Sequence, residues 1–190
     1  MKRKLILLLA STLTLGLIAC GNKETADVTV NDTEGKAAID ILVDTWESYE
    51  EDEKFAIAGG DYVNMTQDAP GSIDTTDSET LDSLFGFPAD KVDLINDGAS
   101  MMHMMNQNNF TAGIYHVVNA DDVQTVADAL KENIMKRQWI CGFPDDLVVY
   151  SVGTNYVVAV FGAEDIVDNF EEELKEAYTS ATIIHDENLV

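Results

Sequence analysis

The chain reads as an α+β domain. It is expected to form a two-layer sandwich: an antiparallel four-stranded sheet in β-β-α-β-β-α order with helices on one face, preceded by N-terminal helices. Three observations lead there. Apolar residues recur at helical spacing over residues 123–135 and 166–178, so each stretch describes an amphipathic helix. Runs rich in apolar, β-branched and aromatic residues come in pairs, 100–105 with 111–118 and 147–152 with 156–161, each pair joined by turn-forming residues. Each hairpin leads into a helix, and that order favours an antiparallel sheet with helices layered on it.

The elements follow in order. Lys2-Arg3-Lys4, an apolar stretch over residues 5–18 and the small residue Ala19 describe an export signal, too short to span a bilayer comfortably. Leu17-Ile18-Ala19-Cys20 resembles the lipobox of bacterial lipoproteins, in which the cysteine sulfur takes a diacylglycerol and becomes the first residue after cleavage. Residues 1–19 are therefore expected to be removed, and Cys20 to carry the lipid. Two acyl chains make a stable anchor where one gives only marginal attachment. Residues 20–35 are polar and non-periodic and read as a tether, with an end-to-end distance on the order of 20 Å for a flexible segment of this length.

A single domain is expected over residues 36–180. Ala37, Ala38, Ile41, Leu42, Thr45, Trp46 and Tyr49 lie on one side of a helix over residues 36–49, which the acids Glu50, Glu51, Asp52 and Glu53 end. Residues 55–65 are ambiguous, because Gly59-Gly60 interrupts any regular element. Thr76-Asp77-Ser78-Glu79 has the form of a capping box ahead of Leu81, Leu84 and Phe85, with Gly86 and Pro88 as the stop. A further helical turn is expected over residues 89–94. Asn119 reads as the N-cap of the helix that buries Val123, Val126, Ala127, Leu130, Ile134 and Met135. Gly153-Thr154-Asn155 turns the second hairpin, Glu164 and Asp165 open the last helix, and residues 181–190 read as a frayed tail.

Composition narrows the partners. The 190 residues carry a formal charge of −24, and three of the eleven basic residues lie in the signal, so cleavage moves the balance to −27. Such a surface repels nucleic acid and anionic lipid headgroups and favours cations or basic partners. Membrane attachment is then expected through the N-terminal lipid, with an envelope protein or a small ligand as the partner. With Cys20 acylated, Cys141 is the single remaining cysteine, no internal disulfide forms, and a buried apolar role is expected for it.

Further along, Leu81-Asp82-Ser83-Leu84-Phe85-Gly86-Phe87 with Asp90 and Val92, the methionine-rich strand, Ala129-Leu130-Lys131 through Trp139, Gly153-Thr154-Asn155-Tyr156-Val157 and the terminal helix are arranged in a familiar order. Over roughly residues 75–178 the chain resembles an uncharacterised family of small lipoproteins, mainly of Gram-positive bacteria, with an extracytoplasmic domain of unknown function. The resemblance implies a lipid-anchored domain outside the cytoplasm and supplies no catalytic residue.

Two constellations carry possible chemistry. Within Met101-Met102-His103-Met104-Met105, strand alternation would place Met101, His103 and Met105 on one face, a soft thioether and imidazole set suited to Cu(I). Methionines filling a core are the competing reading. Cys141 with His103, His116 or His185 would make a Cys-His pair, although an acidic chain gives a thiolate little support. Trp46, Trp139, Tyr115, Tyr150 and Tyr156 would line a groove or fill the core. No nucleophile elbow, zinc-protease motif or phosphate-binding glycine loop occurs, so no cofactor is expected and a non-enzymatic binding module of the cell envelope is the preferred function.

Overall fold

Residues 32–140 and 142–190 are described by a computed structural model. Among them, helices α1 (Ala38–Ser48), α2 (Ser78–Phe85), α3 (Val123–Met135) and α4 (Glu164–Ala177) pack on a sheet of eight strands. The long strands are β4 (Ile95–His103), β5 (Phe110–Val117), β6 (Asp146–Val152), β7 (Tyr156–Gly162) and β8 (Thr182–Asn188). Three short ones, β1 (Ile57–Gly59), β2 (Thr66–Gln67) and β3 (Gly71–Ser72), lie beside β4. The order across the sheet is β2-β1-β4-β5-β7-β6-β8, with β3 also paired to β4, and every pairing is antiparallel.

The α+β class and the two hairpins agree with the sequence reading. Four strands become eight, however, and the helices cover both faces. α1 and α4 pack on one face, where Ile41, Leu42, Phe170 and Leu174 meet Met101, Phe110, Ile114 and Val158. α2 and α3 pack on the other, where Leu81, Phe85, Leu130 and Ile134 meet Met102, Tyr115, Val149 and Phe161. The cause lies in β5 and β7, whose side chains are buried on both sides almost without interruption. A strand apolar on both faces needs a layer over each, so the molecule has three layers rather than two.

The expected frayed tail is a strand. β8 pairs with β6 from Ser151↔Thr182 to Asp146↔Asn188 and shifts register between Val149 and Tyr150. Its alternation is weak because an edge strand is half wet, and its charges Asp186 and Glu187 discourage pairing with another chain. The tether also ends sooner than residue 35. Asp32 already accepts a bond from the Ser180 N–H (3.1 Å), and the Tyr156 hydroxyl donates to the Lys36 carbonyl (2.6 Å).

Helix ends follow the chemistry of their caps. Asp77 rather than Thr76 caps α2, accepting from the Thr80 N–H (3.1 Å), and Gly86 closes the helix in the left-handed conformation. α1 receives help from a distance: the Asp97 carboxylate, beside a register shift in β4, accepts from the Ala38 N–H (2.8 Å). Met135, expected in the buried stripe of α3, is exposed at the end of that helix.

The sheet has two distinct ends. At one, the turn between β6 and β7 lies beside Thr33 and Ser180, and the chain leads back from there towards Cys20. At the other lie the end of β4, the start of β5, the start of β6 and the end of β7. Across β4 these ends are about 30 Å apart at roughly 3.3 Å per residue. The second end is called the tip below.

Candidate functional site

Three loops build the tip. Residues 104–109 join β4 to β5 and residues 136–140 and 142–145 run from α3 to β6, while residues 60–65, which join β1 to β2 level with Ser100, send Tyr62 and Met65 towards the end of β4. Together they hold Tyr62, Val63, Met65, Met104, Met105, Ile140 and Phe143, most of the large apolar side chains left exposed among the described residues. Val63 is 87% and Met105 82% exposed. On a chain with three times as many acids as bases, this gathering differs from apolar side chains scattered singly over a surface.

Each loop is held by specific bonds. Asp61, only 5% exposed, accepts from the Val63 N–H (2.9 Å), the Asn64 N–H (2.8 Å) and the Asp74 N–H (2.7 Å), and from the Asn64 amide. Burial works to raise the pKa of this carboxyl, but the backbone bonds outweigh it and hold it below the usual carboxylate range. Ser100, fully buried, donates to the Gly60 carbonyl (2.7 Å) and ties the same loop to β4. Asn108 donates to the carbonyls of Ile140 (3.0 Å) and Gly142 (3.1 Å), which joins the second loop to the third. Arg137 donates to the Ser83 carbonyl (2.6 Å) and lies over the Trp139 ring, 4.9 Å from its centroid.

Two depressions open at the tip. A cavity of about 180 Å³ is lined by Tyr62, Met65, Leu84, Met102, His103 and Met104, with Ala58, Asp61 and Gln107 completing its wall. A wider groove of about 500 Å³ is lined by Glu53, Asp165, Asp168 and Glu172 around Phe55, Ile166 and Asn169. The two open on opposite faces of the sheet, the cavity on the α2 side and the groove on the α4 side, and at the end of β4 Phe55 of the groove stacks on His103 of the cavity wall, with ring centroids 5.5 Å apart and planes 13° from parallel. Nearby, burial and the charges of Glu164, Asp168, Asp186 and Asp145 push the Asp146 carboxyl up, so negative charge is concentrated on this side of the tip.

The residues singled out by the sequence are distributed differently from the expectation. Met101 is fully buried under α1 and α4, and His103 leans on Phe55. Strand alternation stops at His103, whose Nδ1 accepts from the Met105 N–H (3.2 Å), and Met105 turns out to solvent. The thioethers that line one cavity are Met65, Met102 and Met104. Among the described residues no group of three or more His, Cys, Asp or Glu is placed to hold a metal. Tyr115 and Tyr150 are fully buried and Tyr156 nearly so, while Trp46 and Trp139 pack against the two cores.

The three histidines lie apart. His103 is at the tip, His116 sits between Asn96 and Asn155 at the opposite end (2.6 Å to each), and His185 pairs with Asp128 on α3 (2.6 Å). Cys141, the proposed thiol partner, and Cys20, the proposed lipid site, lie outside the described residues. No helix among the described residues is long and apolar enough to cross a membrane. Neither a family model, nor a curated protein, nor a solved structure matches the chain.

Tyr62, Met65, Ile140 and Phe143 were not singled out from the sequence. The available signal was an apolar run, Tyr62-Val63 and Met65, inside a polar, glycine-flanked loop where no periodicity explains it.

Proposed function

We propose that the protein is a lipid-anchored, non-enzymatic binding module on the outer face of the cytoplasmic membrane, and that it meets its partner, an envelope protein or a small ligand, through the tip. The observation that carries this reading is the gathering of exposed apolar side chains at the end of the sheet opposite the one from which the chain leads back to Cys20. A lipid on Cys20 would reach the domain at the end away from the tip, which leaves the apolar loops clear of the attachment point. The signal, the lipobox and the resemblance to small extracytoplasmic lipoproteins support the anchored half of the reading.

Two measurements test it. Metabolic labelling with a palmitate analogue is expected to mark the wild-type protein and not Cys20→Ala; label on the variant refutes the anchor. In-cell crosslinking of the full chain is expected to give an adduct that disappears in a Met65→Glu, Met104→Glu variant, and an adduct unchanged by those substitutions refutes the tip.

A second reading has its own observation, the three thioethers of Met65, Met102 and Met104 around one cavity with His103 beside them. Soft sulfur suits Cu(I). Titration against a competing chelator decides it: equal Cu(I) affinity in wild type and in Met102→Leu, Met104→Leu removes this reading, as does a failure to bind.

A further inference from the structure

We infer that the occupant of the tip is a basic protein segment carrying one apolar anchor side chain, with the anchor in the methionine-lined cavity and a lysine or arginine in the acidic groove beyond the Phe55–His103 pair. This rests on the reading of the tip as the binding surface and adds the chemistry of what it binds.

The cavity sets the first requirement. At about 180 Å³ it is close in size to the roughly 150 Å³ apolar cavity that accommodates benzene, so it takes one leucine-, methionine- or phenylalanine-sized side chain and not a folded element. Methionine adapts its shape through three rotatable bonds and suits surfaces that accept several different apolar anchors. Met102 closes the floor, being nearly buried, while Met65 and Met104 stand exposed at the mouth.

The groove sets the second. Glu53, Asp165, Asp168 and Glu172 surround an apolar floor of Phe55 and Ile166, no lysine or arginine lines it, and none of these four carboxylates is ion-paired among the described residues. A long cationic side chain meets both features at once, its methylene stem on Phe55 and Ile166 and its charged head among the carboxylates. The two depressions flank the end of β4 on opposite faces of the sheet, so the segment crosses over the tip with its anchor on one side and its cation on the other.

Charge and position exclude other occupants. A second copy brings another −24 against the same acidic rim. Anionic headgroups are repelled for the same reason, and the anchored end of the molecule is the opposite one.

The test uses the full chain in mild detergent and fluorescein-labelled nine-residue peptides read by fluorescence anisotropy. The probe has a central leucine with a lysine three residues away on each side in a serine and glycine background. One control replaces the leucine by serine, and another replaces both lysines by glutamate. The probe is expected to bind at least tenfold more tightly than either control. Met65→Glu with Met104→Glu is expected to weaken it tenfold or more, and Asp165→Asn with Asp168→Asn about fivefold with a flatter dependence on salt. All four positions are exposed, so circular dichroism should stay unchanged.

Equal binding of the leucine and serine peptides would mean simple counter-ion attraction and overturns the inference. So do absence of binding, indifference to either pair of substitutions, or a tip-dependent dimer in sedimentation. If the peptides fail while tip-dependent crosslinks persist in cells, the partner class falls and the binding surface stands; if both fail, both fall.

Discussion

Replacing Asp61 by Asn should loosen the loop that carries Tyr62, Val63 and Met65 without changing the volume of the side chain. The wild-type carboxylate serves three backbone N–H groups, those of Val63, Asn64 and Asp74, through two oxygens. An amide has one oxygen. If that oxygen keeps Val63 and Asn64, its NH₂ group faces the Asp74 N–H, and a donor meets a donor. Losing the charge weakens each surviving bond by about 1 kcal/mol, and an orphaned buried N–H costs about 1–3 kcal/mol. The expected total is about 3–5 kcal/mol, felt first at the loop, since a surface loop can open without the rest of the sheet.

Amide hydrogen exchange, followed residue by residue, reads this directly. Protection at Val63, Asn64 and Asp74 should fall by about a hundredfold or more, while Val158 and Val160 in the central strand β7 change little. The pH dependence follows with a definite sign. Because the folded-state pKa of Asp61 is depressed, its stabilisation is complete above the ordinary carboxylate pKa of about 3.9 and is lost as the pH falls through the lower folded-state value. The difference between wild type and Asp61→Asn should therefore be full at neutral pH and shrink in acid. Unchanged protection at the three amides, or a difference that persists undiminished in acid, would refute the role given to this carboxylate.

Further outcomes follow from burial. Met101→Ala should destabilise the fold by about 2–5 kcal/mol in chemical denaturation, because a fully buried side chain leaves a cavity, whereas Met105→Ala should stay within about 0.5 kcal/mol. Truncation after Ala181 should lower the denaturation midpoint sharply, since each ladder bond to β6 contributes about 0.5–1.5 kcal/mol; a tail without structure would leave it unchanged. Ser100→Ala should cost about 1–3 kcal/mol by leaving the Gly60 carbonyl without its buried donor.

Much of this architecture was legible in particular residues. The Gly153-Thr154-Asn155 turn placed the second hairpin within a residue, and the stripe of Val126, Leu130 and Ile134 placed α3, although Asn119, read as its cap, precedes a separate 3-10 turn over Ala120–Asp122 and α3 starts three residues later. Helices on both faces were legible too, in the unbroken apolar run from Tyr156 to Phe161, since a strand wet on one side alternates and this one does not. The short strands β1 to β3 left no periodic signal because two or three residues cannot show a period. Gly59 and Gly71 are there for closeness rather than freedom: a Cβ on Gly59 would lie 2.1 Å from the Gly71 nitrogen. β8 was hidden by its half-exposed pattern, which a frayed end shares.

The tip was legible only in part, and for a physical reason. Alternation correctly separated Met101 from Met102, but a strand's length decides how far alternation runs, and here it ends at His103. The cavity then forms between Met102, Met104 and Met65, and the last of these arrives from a loop 37 residues earlier in the chain. Contacts between loops depend on bonds such as those of Asp61 and Asn108, whose partners are not set by local pattern.

The most direct measurement places a photoreactive amino acid at position 105, on the tip, or at position 154, in the turn at the opposite end, in the full chain produced in its own cells. Illumination should yield a discrete crosslinked product from position 105 and none of the same mass from position 154. The same product from both positions, or a product from 154 alone, would contradict the assignment of the tip as the surface through which this protein works.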